Sequence, residues 1–238
     1  MVFSDTSGKQ GLLEDIDFIC GTDSTGYATA DKVRNCNRHY YVAVSDILKA
    51  TGRVQFDDLN LTTIPAQVFT LVAGQSQYTL PTDLLQVSAI EIQDNGGNWI
   101  RLKEYDKQDN EKTITDYQKT DGVPREYDII GDQIYLKPAP ATGSVTLVGG
   151  GKVHYTREVD VFTVNDTTQE PGFAEPFHRI ISLGAACDWL IVNATREKHD
   201  MIYAQYLSLR AELRNFYGVK NQDIRVGFRP RHNTREYL

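Results

Sequence analysis

The spacing of hydrophobic residues divides the 238-residue chain into three zones. Up to about residue 60, apolar residues recur at steps of three and four. This spacing predicts a short helix over Leu12–Ile19, ended by Gly21, and a longer helix over Val33–Leu48. Helical spacing returns after about residue 161, first in a helix that is apolar nearly all round. A final helix follows, which ends at Gly218 and carries an apolar stripe of Ile202, Tyr206, Leu209, Leu213 and Phe216.

In the middle zone the hydrophobic period falls to two, and turn residues separate the apolar runs. Asn95-Gly96-Gly97 lies between Val87–Ile92 and a run that begins at Trp99, and Gly131-Asp132 separates a second pair of runs. An Asn-Gly pair favours a hairpin because both turn positions need positive φ. With about seven short strands, this zone predicts an antiparallel β-sandwich or a small β-barrel.

The three zones together predict an α+β fold, a helical bundle with an inserted β domain and an extended C-terminal tail. The predicted boundaries are residues 1–60 for the N-terminal helices, 61–160 for the β domain, 161–218 for the C-terminal helices and 219–238 for the tail. Because amphipathic helices must bury their apolar stripes, we expect the two helical segments to pack together.

Charge is distributed unevenly along the chain. The formal net charge is −7, which argues against a protein whose main task is to grip nucleic acid through its phosphates. The final 20 residues hold five Lys or Arg and two acids, a local charge of +3, so the rest of the chain carries −10. The tail also combines arginines with aromatic and apolar residues, the types enriched at interface hot spots. The alternative is a solvated tail.

The three cysteines, Cys20, Cys36 and Cys187, form no close pair and no Cys-x-x-Cys motif. We expect buried thiols in a reducing compartment, not a disulfide framework. The N-terminal sequence has acids where a signal peptide carries a basic region and an apolar run. No apolar stretch approaches the roughly 20 residues that cross a bilayer. We therefore expect a protein that is soluble and intracellular when it is made.

The run Gly149–Lys152 is reminiscent of a phosphate-binding loop, but its spacing does not fit. Thr146 stands where the first glycine of the motif belongs, and Val153 stands where Ser or Thr should follow the lysine. A glycine-rich loop or bulge in a sheet is the favoured interpretation.

Candidate catalytic groups are sparse. His178 and Cys187 are nine positions apart, roughly 13 Å along a helix, which is too far for a nucleophilic pair. Glu170, Glu175 and Asp188 could hydrolyse a glycosidic bond only at a separation that the sequence does not give. No pair of histidines has the spacing of a zinc site. We therefore predict no catalytic residue and no metal site.

Aromatic residues of the middle zone have two interpretations. They could line a carbohydrate or protein-binding surface, or they could fill the inside of the sheets, which base rates favour. The residues concerned are Tyr78, Trp99, Tyr127 and Tyr135.

Several phrases of the sequence resemble the head-to-tail adaptor, or connector, proteins of tailed bacteriophages. The resemblance covers roughly residues 27–218, including the helices on both sides of the middle zone. It is carried by structural motifs: Val54–Asp58 after the second helix, Gln77–Asp83, Val87–Ile92, Gly122–Tyr127 and Gly131–Pro140.

The resemblance implies a structural virion protein in the neck between capsid and tail, assembled in the host cytoplasm. It implies a ring of 12 copies beneath the portal protein, through which viral DNA passes without sequence-specific binding. A downstream tail or neck protein would attach to the ring, and the C-terminal segment would reach the portal. Neither a cofactor nor a membrane is involved. The alternative function is a tail-associated module whose β domain binds a host glycan or another tail protein.

Two sets of site residues follow from this hypothesis. The predicted portal-docking residues of the tail are Ile224, Arg225, Val226, Phe228, Arg229, Arg231, Arg235 and Tyr237. The predicted ring-interface residues, on the second and the last helix, are Arg34, Arg38, Tyr41, Tyr206, Arg210 and Arg214.

Overall fold

A computed structural model describes residues 1–51, 56–105 and 121–219. The chain is a mixture of helix and sheet, which confirms the α+β class. It divides into two compact units. A helical unit comprises Met1–Phe56, Val161–Gln169 and the chain from Ala174 onward, and a β unit comprises Asp57–Asp160 and Glu170–Phe173.

The described part of the helical unit contains four α-helices. They are α1 (Leu12–Cys20), α2 (Thr29–Thr51), α3 (Arg179–Asn193) and α4 (Arg196–Val219), with a 3₁₀ turn at Glu175–Phe177. Gly21 ends α1 as predicted, with φ 70° and its N–H donated to the carbonyl of Asp17. Gly218 was predicted to end the last helix, but α4 continues through it, because a glycine without positive φ does not force a helix to stop.

Helix α3 lies at the centre of the helical unit and packs against α1, α2 and α4. This arrangement explains why its sequence is apolar nearly all round. Its buried residues are Ile180, Ile181, Ser182, Leu183, Gly184, Ala185, Ala186, Cys187 and Leu190.

Ten strands are described in the β unit. In chain order they are β1 (Ala66–Phe69), β2 (Gln77–Thr79), β3 (Leu84–Gln93), β4 (Trp99–Arg101), β5 (Lys103–Glu104), β6 (Asp121–Gly122), β7 (Glu126–Ile130), β8 (Gln133–Lys137), β9 (Ala139–Pro140) and β10 (Gly151–Arg157). They form two four-stranded sheets, ordered β1-β10-β3-β4 and β2-β8-β7-β5, and a β6-β9 pair. Over the residues described, none of these sheets closes on itself.

Both predicted hairpins are present. Strands β3 and β4 pair antiparallel with Gln93 opposite Trp99, and Gly97 in the turn has φ 86°. Strands β7 and β8 pair with Ile130 opposite Gln133, and Gly131 has φ 65°. The positive φ values explain why glycine stands in each turn.

The prediction of a purely antiparallel β domain is wrong at two places. Strand β5 pairs parallel with β7, and β6 pairs parallel with β9. Parallel neighbours need a long connection instead of a tight turn, so a turn-based prediction does not find them.

The two four-stranded sheets contribute to one hydrophobic core. Tyr78 and Leu136 come from one sheet, and Ile90, Ile92 and Val153 come from the other. Buried and half-buried residues alternate along the first four residues of β8 and of β10, which matches the period of two in the sequence.

Candidate assembly surfaces

The structure places the predicted ring-interface residues of α4 on the side of the helix that faces α2. Tyr206 is buried, with 4% of its surface exposed, and its hydroxyl lies 3.0 Å from Nδ1 of His39 on α2. Of the apolar stripe to which Tyr206 belongs, Ile202 and Leu213 are also buried, at 7% and 0% exposed, whereas Phe216 near its C-terminal end is 42% exposed. This stripe joins the helices within one copy of the chain.

Arg210 and Arg214 share one buried carboxylate. Nε of Arg210 donates to Asp46 at 2.7 Å, and Nη2 of Arg214 donates to the other oxygen of Asp46 at 2.6 Å. The Asp46 side chain is only 2% exposed. Burial alone would raise the pKa of Asp46, but the hydrogen bonds and charges of the two arginines outweigh burial and lower it. The carboxylate is therefore held ionised between α2 and α4.

A second polar group joins α2 to α3. Asp188 on α3 accepts a hydrogen bond from Nη1 of Arg38 at 3.0 Å, and the same oxygen lies 3.3 Å from Nε2 of His39. Burial lowers the pKa of His39, although the negative charge of Asp188 acts in the opposite direction. His39 thus contacts Asp188 on one side and Tyr206 on the other, so it is a structural residue of the helical core.

The predicted residues of α2 point outward. The side chains of Arg34 and Arg38 are 64% and 60% exposed, and Tyr41 is 44% exposed. Arg34 pairs with Asp31 on the same helix at 3.0 Å, an exposed contact that contributes little to stability. The six predicted residues therefore fall into an outward group on α2 and a group on α4 that is held to α2.

The outward face of α4 was not predicted as a surface of interest. It exposes the large apolar residues Met201, Tyr203 and Leu207, which are 57%, 43% and 44% exposed. Exposed apolar residues on neighbouring turns of one helix are a mark of an interaction surface. The sequence carried a signal for it, because this face has no charged residue between Asp200 and Glu212 except the inward Arg210.

The predicted portal-docking residues lie outside the described part of the chain. All eight fall between residues 220 and 238, whereas the last described residue is Val219.

The cysteines are free and buried, as expected. Burial raises the pKa of Cys20 and Cys36 to about 12 and that of Cys187 to about 11. The thiols are therefore protonated at neutral pH and unsuited to nucleophilic attack. Nδ1 of His178 lies 3.1 Å from the amino group of Met1.

The three candidate carboxylates are held by separate parts of the molecule. Asp188 contacts Arg38 and His39, Glu175 lies 3.3 Å from the Met1 amino group, and Glu170 belongs to the β unit. Among the residues described, no three or more His, Cys, Asp or Glu side chains form a group that could hold a metal ion.

The glycine-rich run opens a strand. Gly151 is the first residue of β10, and a Cβ atom there would lie 2.4 Å from the ring of Phe69. Gly150 approaches the backbone even more closely, since its Cβ would overlap the carbonyl oxygen of Thr146. These close approaches explain the glycines without any phosphate ligand.

The four aromatic candidates of the β unit differ in exposure. Tyr78 is in the core, Tyr127 and Tyr135 are half-buried, and Trp99 is 39% exposed. The ammonium group of Lys152 lies 4.1 Å from the centre of a Trp99 ring. This cation–π contact covers one face of the indole, which weighs against sugar stacking on that face.

Comparison with known proteins identifies one family. Residues 42–231 match the family described as SU10 adaptor protein, a region that includes the C-terminal part of α2, the β unit, α3, α4 and part of the tail. A comparison with the curated proteins finds no significant match. Across the residues described, the structure has no helix long and apolar enough to cross a membrane. The chain thus belongs to the SU10 adaptor protein family, and it is a structural adaptor protein of a bacteriophage virion.

Proposed function

We propose that this protein is a head-to-tail adaptor that forms a ring beneath the portal, extends the DNA channel and provides the attachment platform for the tail. The observation that carries the proposal is the family match over residues 42–231, which spans both units and enters the tail. The ring has 12 copies. The protein needs no cofactor and has no catalytic role.

The ring is closed by a heterologous interface, in which two different surfaces of each copy meet. Such an interface generates a closed ring when the rotation between neighbours returns to its starting point. The helical unit, a bundle around α3, forms the ring. The β unit is a sandwich of two sheets around one core, and it provides the surface for the downstream tail or neck protein.

The charge distribution suits a DNA channel. Without its final 20 residues the chain carries a formal charge of −10, and this acidic body repels the phosphates of the passing DNA. At about 0.1 M salt such repulsion extends roughly 10 Å, the Debye length under these conditions. DNA therefore slides through the ring without binding to its wall.

The basic tail, residues 219–238, docks onto the portal. Its arginines supply charge that steers association, and Ile224, Val226 and Phe228 supply apolar anchors.

Truncation after Gly218 tests the docking role. The shortened chain keeps the described helical and β units, so we expect an unchanged circular dichroism spectrum and thermal transition, with loss of binding to the cognate portal. A truncated chain that still co-sediments with the portal would refute the docking role. A glycan-binding module, by contrast, would keep its ligand after the truncation.

A further inference from the structure

The outward side of α4 has acids at both ends and an uncharged middle. Glu197 and Asp200 lie in its first turns, where Asp200 also pairs with the exposed Arg196 at 3.5 Å, and Glu212 lies three turns further on; all three acids are exposed. Between them the exposed side chains, all uncharged, are Met201, Tyr203, Ala204, Gln205, Leu207, Ser208 and Ala211. We call the line through Glu197, Asp200, Ala204, Ser208 and Glu212 the α4 ridge, since steps of three and four place these residues on one face.

The outward side of α2 has the opposite charges in the same arrangement. Arg34 and Arg38 lie near its N-terminal end and Lys49 near its C-terminal end, all exposed. Tyr41 and Ser45 stand between them, and the acid in this interval, Asp46, is buried against α4. We call the line through Arg34, Arg38, Tyr41, Ser45 and Lys49 the α2 ridge.

The charges of the two ridges match in spacing as well as in sign. Fifteen positions separate Arg34 from Lys49, and fifteen separate Glu197 from Glu212, which is about 22 Å along either helix. Aligning the ridges in parallel places Arg34 beside Glu197 and Lys49 beside Glu212. Arg38 then lies near Asp200, and the uncharged residues meet in the middle.

We propose that the α2 ridge of one copy packs against the α4 ridge of the next copy, with Ser45 opposite Ser208. The inference rests on the proposed ring and names the two surfaces that close it. The charged ends set the register, and the uncharged middle supplies the contact area. Tyr203 and Leu207, exposed beside the α4 ridge, are covered in this contact.

Pairing of identical ridges is disfavoured by charge. Two α4 ridges that meet about a twofold axis run antiparallel, so Glu197 would oppose Glu212. In two α2 ridges paired in the same way, Arg34 of one copy would lie opposite Lys49 of the other. Like charges in direct opposition are repulsive, so the pattern selects the contact between two different surfaces. This is the heterologous type of contact that a ring requires.

The positions of the two ridges along the helix direction also agree with a closed ring. Within one copy α2 and α4 run parallel, because His39 meets Tyr206 and Asp46 meets Arg210 and Arg214. Measured along the common helix direction, Ser45 therefore lies beside residue 211 of its own chain. In the proposed contact it lies opposite Ser208 of the next copy. The difference is less than one helical turn, about 5 Å, which Arg, Lys and Glu side chains can span. Neighbouring copies are thus related by a rotation with little translation along the helix direction.

Disulfide cross-linking tests this register. The full-length chain carrying Ser45→Cys and Ser208→Cys is assembled with its cognate portal, oxidised and analysed on a non-reducing gel. The three native thiols are buried and protonated, so they do not compete. The matched control pairs Ser45→Cys with Ser24→Cys, since residue 24 is exposed but lies in the turn before α2 and not on the α4 ridge. The two single-cysteine variants complete the set.

We expect the Ser45→Cys/Ser208→Cys chain to give a reducible ladder of oligomers that rises to the closed ring. The off-ridge pair and the single variants should give at most dimers. The same samples are imaged by negative stain. Rings without a ladder, or an equal ladder in the off-ridge control, would overturn the proposed contact and leave the ring standing. Absence of rings in the wild-type sample would refute both the ring and the contact.

Discussion

The ring of His39 on α2 lies so close to Gly184 on α3 that a Cβ atom at residue 184 would stand 2.3 Å from its Cγ and Nδ1 atoms. A Cβ atom at that distance requires a shift of the buried His39 ring or of one of the two helices. The glycine therefore sets the separation of α2 and α3, and it lets His39 reach Tyr206 and Asp188.

Replacement of Gly184 by alanine should destabilise the helical unit. Crowding in a packed core costs about 1–3 kcal/mol, which outweighs the higher helix propensity of alanine. Urea unfolding monitored by circular dichroism measures the effect. The matched control is Gly218→Ala, where the nearest atom to a new Cβ is 4.0 Å away, and its stability should be equal or slightly higher. Equal stability of Gly184→Ala and the wild type would contradict this account of the helix contact.

The carboxylate of Asp46 should make stability depend on acid pH. At neutral pH, Asp46→Asn should lower the free energy of unfolding by about 2–3 kcal/mol, because two charge-assisted hydrogen bonds are weakened. The pKa of Asp46 is lowered in the folded state. Its contribution is therefore complete above the unfolded pKa, about 3.9, and is lost as pH falls through the lower folded pKa.

The measurement is a pair of unfolding series for the wild type and Asp46→Asn between pH 7 and pH 2. The difference between the two proteins should be constant above about pH 4 and shrink below it. Asp31→Asn, which removes an exposed partner of Arg34, should change stability by less than about 1 kcal/mol. A difference between wild type and Asp46→Asn that stays constant down to pH 2 would show that Asp46 does not titrate as described.

The three thiols should be unreactive in the native protein. At pH 8, a thiol whose pKa is raised to about 11 or 12 has very little thiolate, and burial also blocks the reagent. We expect almost no reaction with an aromatic disulfide reagent before unfolding and three equivalents in denaturant. Rapid modification of one thiol in the native protein would contradict the burial of that cysteine.

Charge reversal should test the ridges by mutual rescue. Lys49→Glu alone places two acids together at every contact, and Glu212→Lys alone places two lysines together, so each variant should form fewer rings. An equimolar mixture should recover ring formation. In a ring in which the two variants alternate, residue 49 of each copy and residue 212 of its neighbour carry opposite charges, so every contact pairs a cation with an anion.

The control for this rescue is each variant mixed with itself at the same total concentration and salt. Because exposed ion pairs are screened, the defect and the rescue should both weaken as salt rises towards 1 M. Recovery that does not depend on mixing would show that the two residues do not face each other.

The sequence predicted the elements that local patterns determine. Gly21 and the Gly131-Asp132 turn were found because a helix end and a hairpin turn each need positive φ at a fixed position. The central position of α3 was also predictable, because its apolar residues leave no polar face.

The sequence could not show which way Tyr206, Arg210 and Arg214 face. Their partners on α2, His39 and Asp46, are more than 160 positions away in the chain, so no local pattern connects them. The direction of a long polar side chain depends on whether a distant acid comes within reach. For the same reason, the outward face of α4 is defined only by the burial of its opposite face against α2.

Negative-stain imaging of the purified full-length protein, alone and mixed with its cognate portal, tests the central claim most directly. We expect 12-fold rings stacked on the portal. Rings that do not join the portal would remove the docking role of the tail, and monomers in both samples would contradict the adaptor ring itself.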